Sequence, residues 1–255
     1  MPNPRLLIED VLAAGAEIAL EEGQARHVGT VLRLDVGDAV RVFNAREGEW
    51  RAQISAKTKR GMSVRVADKL REARTTPDLD LLFAPVKRHA TDLIVEKATE
   101  LGVRRIRPVI TQRTIAETVR NDRLMSIARE AAEQTERFDV PELAEAVSLA
   151  RALDGWDEAR PLVYADEAGD DEAAPWGGER GRGAPLLGSL GEAPWPKLAL
   201  LIGPEGGFTP EERRLLRGLS YVIPVSLGPR ILRAETAVIA ALSVIQAAWG
   251  DWRAR

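Results

Sequence analysis

From Asp78 onward the chain alternates short apolar runs with amphipathic segments, and that rhythm restricts it to few folds. Residues 79–84, 106–110, 162–165, 198–202 and 222–226 are the apolar runs and read as strands. Between the first two, Ala90, Leu93, Ile94, Ala98 and Leu101 recur at helical spacing, and Gly102 stops that helix. Leu124, Ile127, Ala128, Ala131, Thr135 and Phe138 mark the inner face of another helix, with Asp122 a candidate cap and Pro141 beyond its end. Strand and helix in alternation predict a parallel α/β sheet with its ligand at the carboxyl ends of the strands.

Residues 1–74 obey a different period. Val40 and Val42, then Trp50, Ala52 and Ile54, then Met62, Val64 and Val66 alternate with polar neighbours, as half-buried strands do. Gly23, Gly29, Gly37-Asp38, Gly48 and Gly61 are the expected turns, so a small β-barrel is predicted. The Arg-Thr-Thr-Pro run at 74–77 reads as a linker to a second domain over 78–255. Within that domain, residues 166–196 are rich in Gly, Pro, Ala and acidic residues and read as a mobile acidic insertion without secondary structure. Trp176 and Trp195 are the residues that could tack it down.

Composition narrows the chemistry. The chain has no cysteine, and His27 and His89, its only imidazoles, are far apart. Disulfides, thiolate nucleophiles and zinc or iron centres are therefore not expected, and metal ligands are none; only an oxygen-ligand site for magnesium stays open. The first twenty residues carry Arg5, Glu9, Asp10 and Glu17, and no apolar run is long enough for a membrane span, so a cytoplasmic protein is expected. Net charge is −3, yet residues 51–74 hold eight basic side chains against two acidic ones. That local excess, which includes Lys57, Lys59 and Arg60, suits either a phosphate backbone or a solvated surface.

Two motifs carry chemistry. In Leu200-Leu-Ile-Gly-Pro-Glu-Gly-Gly-Phe-Thr-Pro-Glu-Glu212 an apolar strand enters a glycine-rich turn and then a helix. Thr209 caps that helix, Pro210 takes its first position, and Glu212 completes a capping box. The glycines leave bare amides for a flat ligand. The Lys-Ser/Thr pair of a phosphate loop is missing, and Glu205 would repel phosphate, so a ligand with a positive centre and an adenine ring fits better. A tight strand-to-helix turn would need the same glycines. The second motif, Val225-Ser-Leu-Gly-Pro-Arg-Ile-Leu-Arg-Ala-Glu-Thr-Ala237, is again strand, Gly-Pro turn and helix. That helix is expected from about Ile231 to Trp249 and buried, with Gly250 its stop. Arg230 and Arg233 then oppose the dipole of its first turn, which points to RNA phosphate, a developing oxyanion or an internal salt bridge.

Together these motifs resemble the RsmE family of 16S ribosomal RNA methyltransferases. Further segments agree in order: His27-Val-Gly-Thr-Val-Leu-Arg33, Gly37-Asp38, Phe43-Asn44, Ala84-Pro-Val-Lys87 and Val95-Glu-Lys-Ala-Thr-Glu-Leu-Gly102. Arg107-Pro-Val-Ile-Thr-Gln-Arg113, Glu130-Ala-Ala-Glu-Gln-Thr-Glu-Arg137 and Val140-Pro-Glu142 follow. Only the 166–196 insertion departs from the pattern.

The resemblance implies a SPOUT-class α/β domain with a C-terminal trefoil knot, preceded by a PUA-like RNA-binding barrel. It implies S-adenosylmethionine held by Leu201, Ile202, Gly203, Pro204, Glu205, Gly206, Leu227, Gly228, Ile231, Leu232 and Thr236. It also implies a homodimer and N3-methyluridine in the decoding region of 16S rRNA, within the assembled small subunit. Catalytic candidates are Arg233, Glu205, Arg230 and Glu235, with Glu133 a further possible base for the uracil N3 proton. Lys87, Arg113, Glu133, Gln134 and Arg137 are read as RNA contacts or active-site wall beside His27, Arg33, Lys57, Lys59 and Arg60. His27 is equally well a hydrogen-bonded barrel residue. Competing functions are a SPOUT enzyme acting on tRNA, an RNA-binding assembly factor without catalysis, and a nucleotide-dependent enzyme.

Overall fold

In the computed structural model, which describes residues 3–59, 61–115, 119–169, 181–191 and 195–253, the two sequence periods become two compact units. The first contains Met1–Thr75 and Ala132–Asp139; the second contains Thr76–Ala131 and Val140–Arg255.

The first unit holds β1 (Arg5–Leu7), β2 (Glu17–Ala19), α1 (Glu22–Arg26), β3 (Ala39–Asn44), β4 (Gly48–Thr58) and β5 (Gly61–Arg71). The expected barrel is, in its hydrogen bonding, a five-stranded sheet in the order β1-β3-β4-β5-β2. Its alternation is the one read from the sequence: Met62, Val64 and Val66 are buried while Arg65 is exposed. Gly23 and Gly29 are not turns as expected. Gly23 lies in α1, which continues as a π-helical turn over His27–Val31 that contains Gly29. A capping box between Glu21 and Gln24 starts this helix and outweighs the glycines.

Glu49, 0% exposed, is the electrostatic centre of this unit. Arg5 (3.4 Å), Arg41 (2.9 Å) and Arg71 (2.8 Å) all donate to its carboxylate. Arg41 and Arg71 also hold Glu136. Arg5 donates to the carbonyl of Ala132 (3.0 Å) and lies over the ring of Phe43. Burial lowers the Arg5 pKa to about 10. The segment 132–139 is thus bound into this unit by two ion pairs to Glu136 and by the Arg5 bond to the Ala132 carbonyl.

The second unit has β6 (Leu79–Phe83), α2 (Arg88–Glu100), β7 (Arg105–Ile110), most of α3 (Asn121–Gln134, whose last three residues belong to the first unit), β8 (Glu142–Leu143), β9 (Val147–Ser148) and α4 (Leu149–Leu153). There follow β10 (Leu162–Ala165), β11 (Ala184–Pro185), α5 (Leu186–Ser189), β12 (Leu198–Ile202), α6 (Pro210–Arg217), β13 (Val222–Ser226) and α7 (Ala234–Ala248). The strands pair in parallel in the order β11-β13-β10-β12-β6-β7-β8, with β9 also on β7. Every residue of β6, β10 and β12 is buried, as a sheet covered on both faces requires.

Three boundaries differ from the sequence reading. The helix expected through Phe138 ends at Gln134, because Glu136 takes a left-handed φ of 61° and cannot continue it. The last helix begins at Ala234, with Arg233 its N-cap, so Arg230 and Ile231 precede it. The dipole conflict therefore applies to Arg233 at the cap and not to Arg230. Finally, residues 166–196 are not uniformly without secondary structure. β11 pairs with β13, and Leu186 and Leu190 are buried in the main core. The carbonyl of Trp195 accepts from the Trp249 indole at 2.8 Å, whereas Trp176 lies outside the described residues.

Candidate cofactor cleft

β12, β10 and β13 are neighbours, and the loops leaving their carboxyl ends line a cleft open to solvent. From β12 come Ile202, Gly203, Pro204 and Glu205; from β13 come Val225, Leu227, Gly228, Arg230, Ile231 and Leu232. Ala234 and Ala237, at the start of α7, close the apolar side.

Each wall has a local cause. The β12 loop ends where Thr209 accepts the Glu212 N–H and Glu212 returns the bond to Thr209, a capping box with Pro210 at the first helical position. Gly203 has no substitute there: a Cβ on it would stand 2.5 Å from the ring of Phe208. The β13 loop turns at Gly228, whose φ of 116° disfavours any side chain. Arg113 reaches the first loop from outside and donates to the Gly206 carbonyl at 2.8 Å.

The third wall was not anticipated from the sequence. Ala165, Asp166 and Glu167, leaving β10, also line the cleft. Asp166 is 2% exposed and is held by Arg213 (2.9 Å) and Arg217 (2.8 Å) of α6. Arg213 goes on to the carbonyls of Ala168 and Gly169, so α6 fixes the loop that carries Glu167. Burial, reinforced by Asp166, pushes the Glu167 carboxyl above the usual carboxylate range. Its sequence signal is an acidic pair directly after an apolar strand, at the start of the 166–196 insertion.

The other expected residues are distributed as follows. Leu201 is fully buried on the opposite face of β12, and Gly206 and Thr236 do not border the cleft. Arg230 borders it, Glu205 is exposed at its rim, and Arg233 and Glu235 lie just beyond, at the cap and first turn of α7. Glu133 belongs to the first unit, where its carboxylate accepts the Leu7 N–H at 3.0 Å. Arg137, 8% exposed, makes a two-point pair with Asp139, and Gln134 is exposed.

His27 and Arg33 are exposed on one short segment, with Arg33 at a left-handed φ of 57°. Lys57 is turned back to the Leu34 carbonyl (2.8 Å) and Asp35, while Lys59 is exposed; Arg60 lies outside the described residues. The basic stripe is mostly neutralised, since Arg51, Arg65, Lys69 and Arg71 each face a carboxylate. Lys87 is exposed at the N-cap of α2. Among the described residues no group of three or more His, Asp or Glu could hold a metal ion, and no helix is long and apolar enough to cross a membrane.

Known proteins share this plan. The model of an RNA methyltransferase domain matches residues 74–246, and that of an RNA methyltransferase PUA domain matches residues 20–67. A ribosomal RNA small subunit methyltransferase E from Rickettsia conorii is 33% identical over 247 residues, 96% of either chain. A methyltransferase structure from Legionella pneumophila, in complex with the cofactor SAM, is 33% identical with a TM-score of 0.81, covering 98% of this chain and 100% of that one. The ribosomal RNA small subunit methyltransferase E of Neisseria gonorrhoeae, bound to S-adenosyl methionine, is 25% identical with a TM-score of 0.84 and the same coverage.

Proposed function

The chain belongs to the RNA methyltransferase family, and from that premise we propose its reaction: methyl transfer from S-adenosylmethionine to N3 of a uridine in the decoding region of 16S ribosomal RNA. The observation that carries this is the cleft at the carboxyl ends of β10, β12 and β13. It offers the bare main chain of Gly203 and Gly228 beside the apolar side chains Ile202, Leu227, Leu232 and Ala237. That lining fits an adenine ring edge-bound by amides better than a polyphosphate, for which no lysine is at hand.

When bound, S-adenosylmethionine supplies an activated methyl group on a good leaving group. The residues of the chain then have three tasks. The main chain of residues 202–205 and 227–232 holds and orients, and most of the rate comes from such alignment. Arg230, on the cleft wall, offers a guanidinium to a uracil carbonyl as the N3 proton leaves; Arg233, at the cap of α7, is the second candidate. The proton goes to Glu205 or Glu235 or to water. Glu133, whose carboxylate accepts the Leu7 N–H, is a further candidate base.

His27, Arg33, Lys57, Lys59, Lys87 and Arg113 are proposed RNA contacts, within a homodimer acting on assembled small subunits in the cytoplasm. A trefoil knot is proposed on a strand order in which β13 lies beyond β10 while α7 returns to pack on α2 and β12. The test is transfer of labelled methyl from S-adenosylmethionine to small subunits lacking this modification, with the base mapped by mass spectrometry. Label on a uracil N3 in the decoding region is expected. Label on tRNA alone, or cofactor binding without transfer to any RNA, would replace this reading with one of its competitors.

A further inference from the structure

We propose that Glu167 is the carboxylate that receives the positive charge of the cofactor, and so sets the preference of the cleft for a cationic ligand. This rests on the methyltransferase reading above and deepens it.

Four ionisable side chains line the cleft: Asp166, Glu167, Glu205 and Arg230. They are not equivalent. Asp166 is spent on Arg213 and Arg217. Glu205 is exposed, so water screens it. Arg230 carries the wrong sign. Glu167 is half-buried and, among the described residues, has no ion-pair partner.

Its position explains how a carboxylate without a partner survives there. On an extended strand consecutive side chains point to opposite faces. Tyr164 packs in the cluster under α6 and Ala165 in the one beside α7, so Asp166 turns to α6 and Glu167 to the cleft. The carboxylate reaches the far end of the glycine turn of the neighbouring loop, where a methyl group on Gly207 would stand 3.6 Å from its Oε1. Glu167 itself lines the cleft together with Gly203 at the near end of that turn, so it borders any molecule lying there.

The Asp166–Arg213–Arg217 cluster holds this geometry without forming an ion pair to Glu167, although Arg213 and Arg182 partly offset its charge. Its guanidinium groups donate to Asp166 and to the carbonyls of Ala168, Gly169 and Gly181. A shielded carboxylate next to another carboxylate is costly when the site is empty, which is why burial raises its pKa. A ligand cation placed beside it recovers that cost. S-adenosylmethionine has two such cations, the sulfonium and the α-ammonium, whereas a nucleoside phosphate has none and would be repelled.

The experiment is calorimetric titration of wild-type protein and Glu167→Gln with three ligands. S-adenosylmethionine carries both cations, S-adenosylhomocysteine only the ammonium, and 5′-methylthioadenosine neither. Loss of one charge-assisted contact predicts weaker S-adenosylmethionine binding by about ten- to a hundredfold, with 5′-methylthioadenosine unchanged. If S-adenosylhomocysteine weakens equally, the partner is the ammonium; if it is spared, the partner is the sulfonium. Equal weakening of all three ligands, or of none, overturns the assignment while leaving the methyltransferase reading intact. A wild-type protein that binds none of the three overturns both. Glu167→Ala, which adds no bulk, must reproduce the same order, and the unliganded melting temperature reports whether either variant has perturbed the fold.

Discussion

At the amino ends of β6, β7, β10 and β12, Asp78, Asp80, Arg105 and Arg160 bind one another. Arg160 alone donates to both Asp78 oxygens (3.0 Å each) and to the carbonyls of Asp78 and Leu198. Asp80 is 2% exposed and also held by Arg105 at 2.8 Å. At the carboxyl ends of the neighbouring strands β10, β12 and β13, the ionisable groups facing the cleft are Glu167, Glu205 and Arg230. Among the described residues these form no ion pair with each other or with anything else. One end of the sheet consumes its charges internally, and the other leaves them for something that arrives. Buried charge paired within the chain is structure; of the three cleft groups, Glu205 and Arg230 are exposed to water, and the half-buried Glu167 is the shielded charge that a ligand would satisfy.

The sharpest way to break that contrast is Arg160→Ala. It leaves the buried Asp80 with fewer cationic partners and removes the bonds to Asp78 and to the Leu198 carbonyl, at a cost of about 3–5 kcal/mol. Chemical denaturation should show this loss while cofactor affinity of the folded protein stays put. A fall in affinity of similar size would mean that the two ends are coupled.

At the other end Arg230→Ala should do the reverse. Turnover is expected to fall about a hundredfold or more, as for removal of one oxyanion donor, with an unchanged melting temperature. Single-turnover methyl transfer separates this from a binding defect.

Gly203→Ala tests the backbone of the cleft. Its methyl group would collide with Phe208, and overpacking of this kind costs about 1–3 kcal/mol. Calorimetry should find weaker cofactor binding, because the loop, not a distant core, has to move.

The smallest effect is one of pH. A carboxyl whose pKa is higher folded than unfolded binds more protons in the folded state, so stability falls as pH rises from the ordinary carboxylate range to the raised value. Glu167 has that direction, with Asp166 opposing its ionisation and Arg213 and Arg182 favouring it. The slope of stability with pH in this window should flatten in Glu167→Gln, and also in wild-type protein saturated with cofactor. A slope unchanged in the variant would assign it to another group.

What could be read beforehand follows from the range of each interaction. The five principal strands, the Thr209–Glu212 capping box and the two glycine turns are local, set by contiguous residues, and they recur in the structure where the periodicity put them. The end of α3 was misplaced because Glu136, a good helix former, takes a left-handed turn inside the Arg41–Arg71 cluster. The acidic pair at 166–167 looked like surface, since charge after a strand is usually solvated. Its arginine partners come from α6, more than forty residues away.

By itself, then, the sequence determined the class of fold, the family and the two loops that form most of the cleft, because hydrophobic period and turn chemistry act over a few residues. Which charged side chains meet was decided only by tertiary structure. Strand β10 inserts between β12 and β13, and that places Glu167 against a loop forty residues downstream. The same long-range folding brings the Glu133 carboxylate to the Leu7 N–H. Burial and Coulomb energy depend on distance in space, which spacing along the chain does not report.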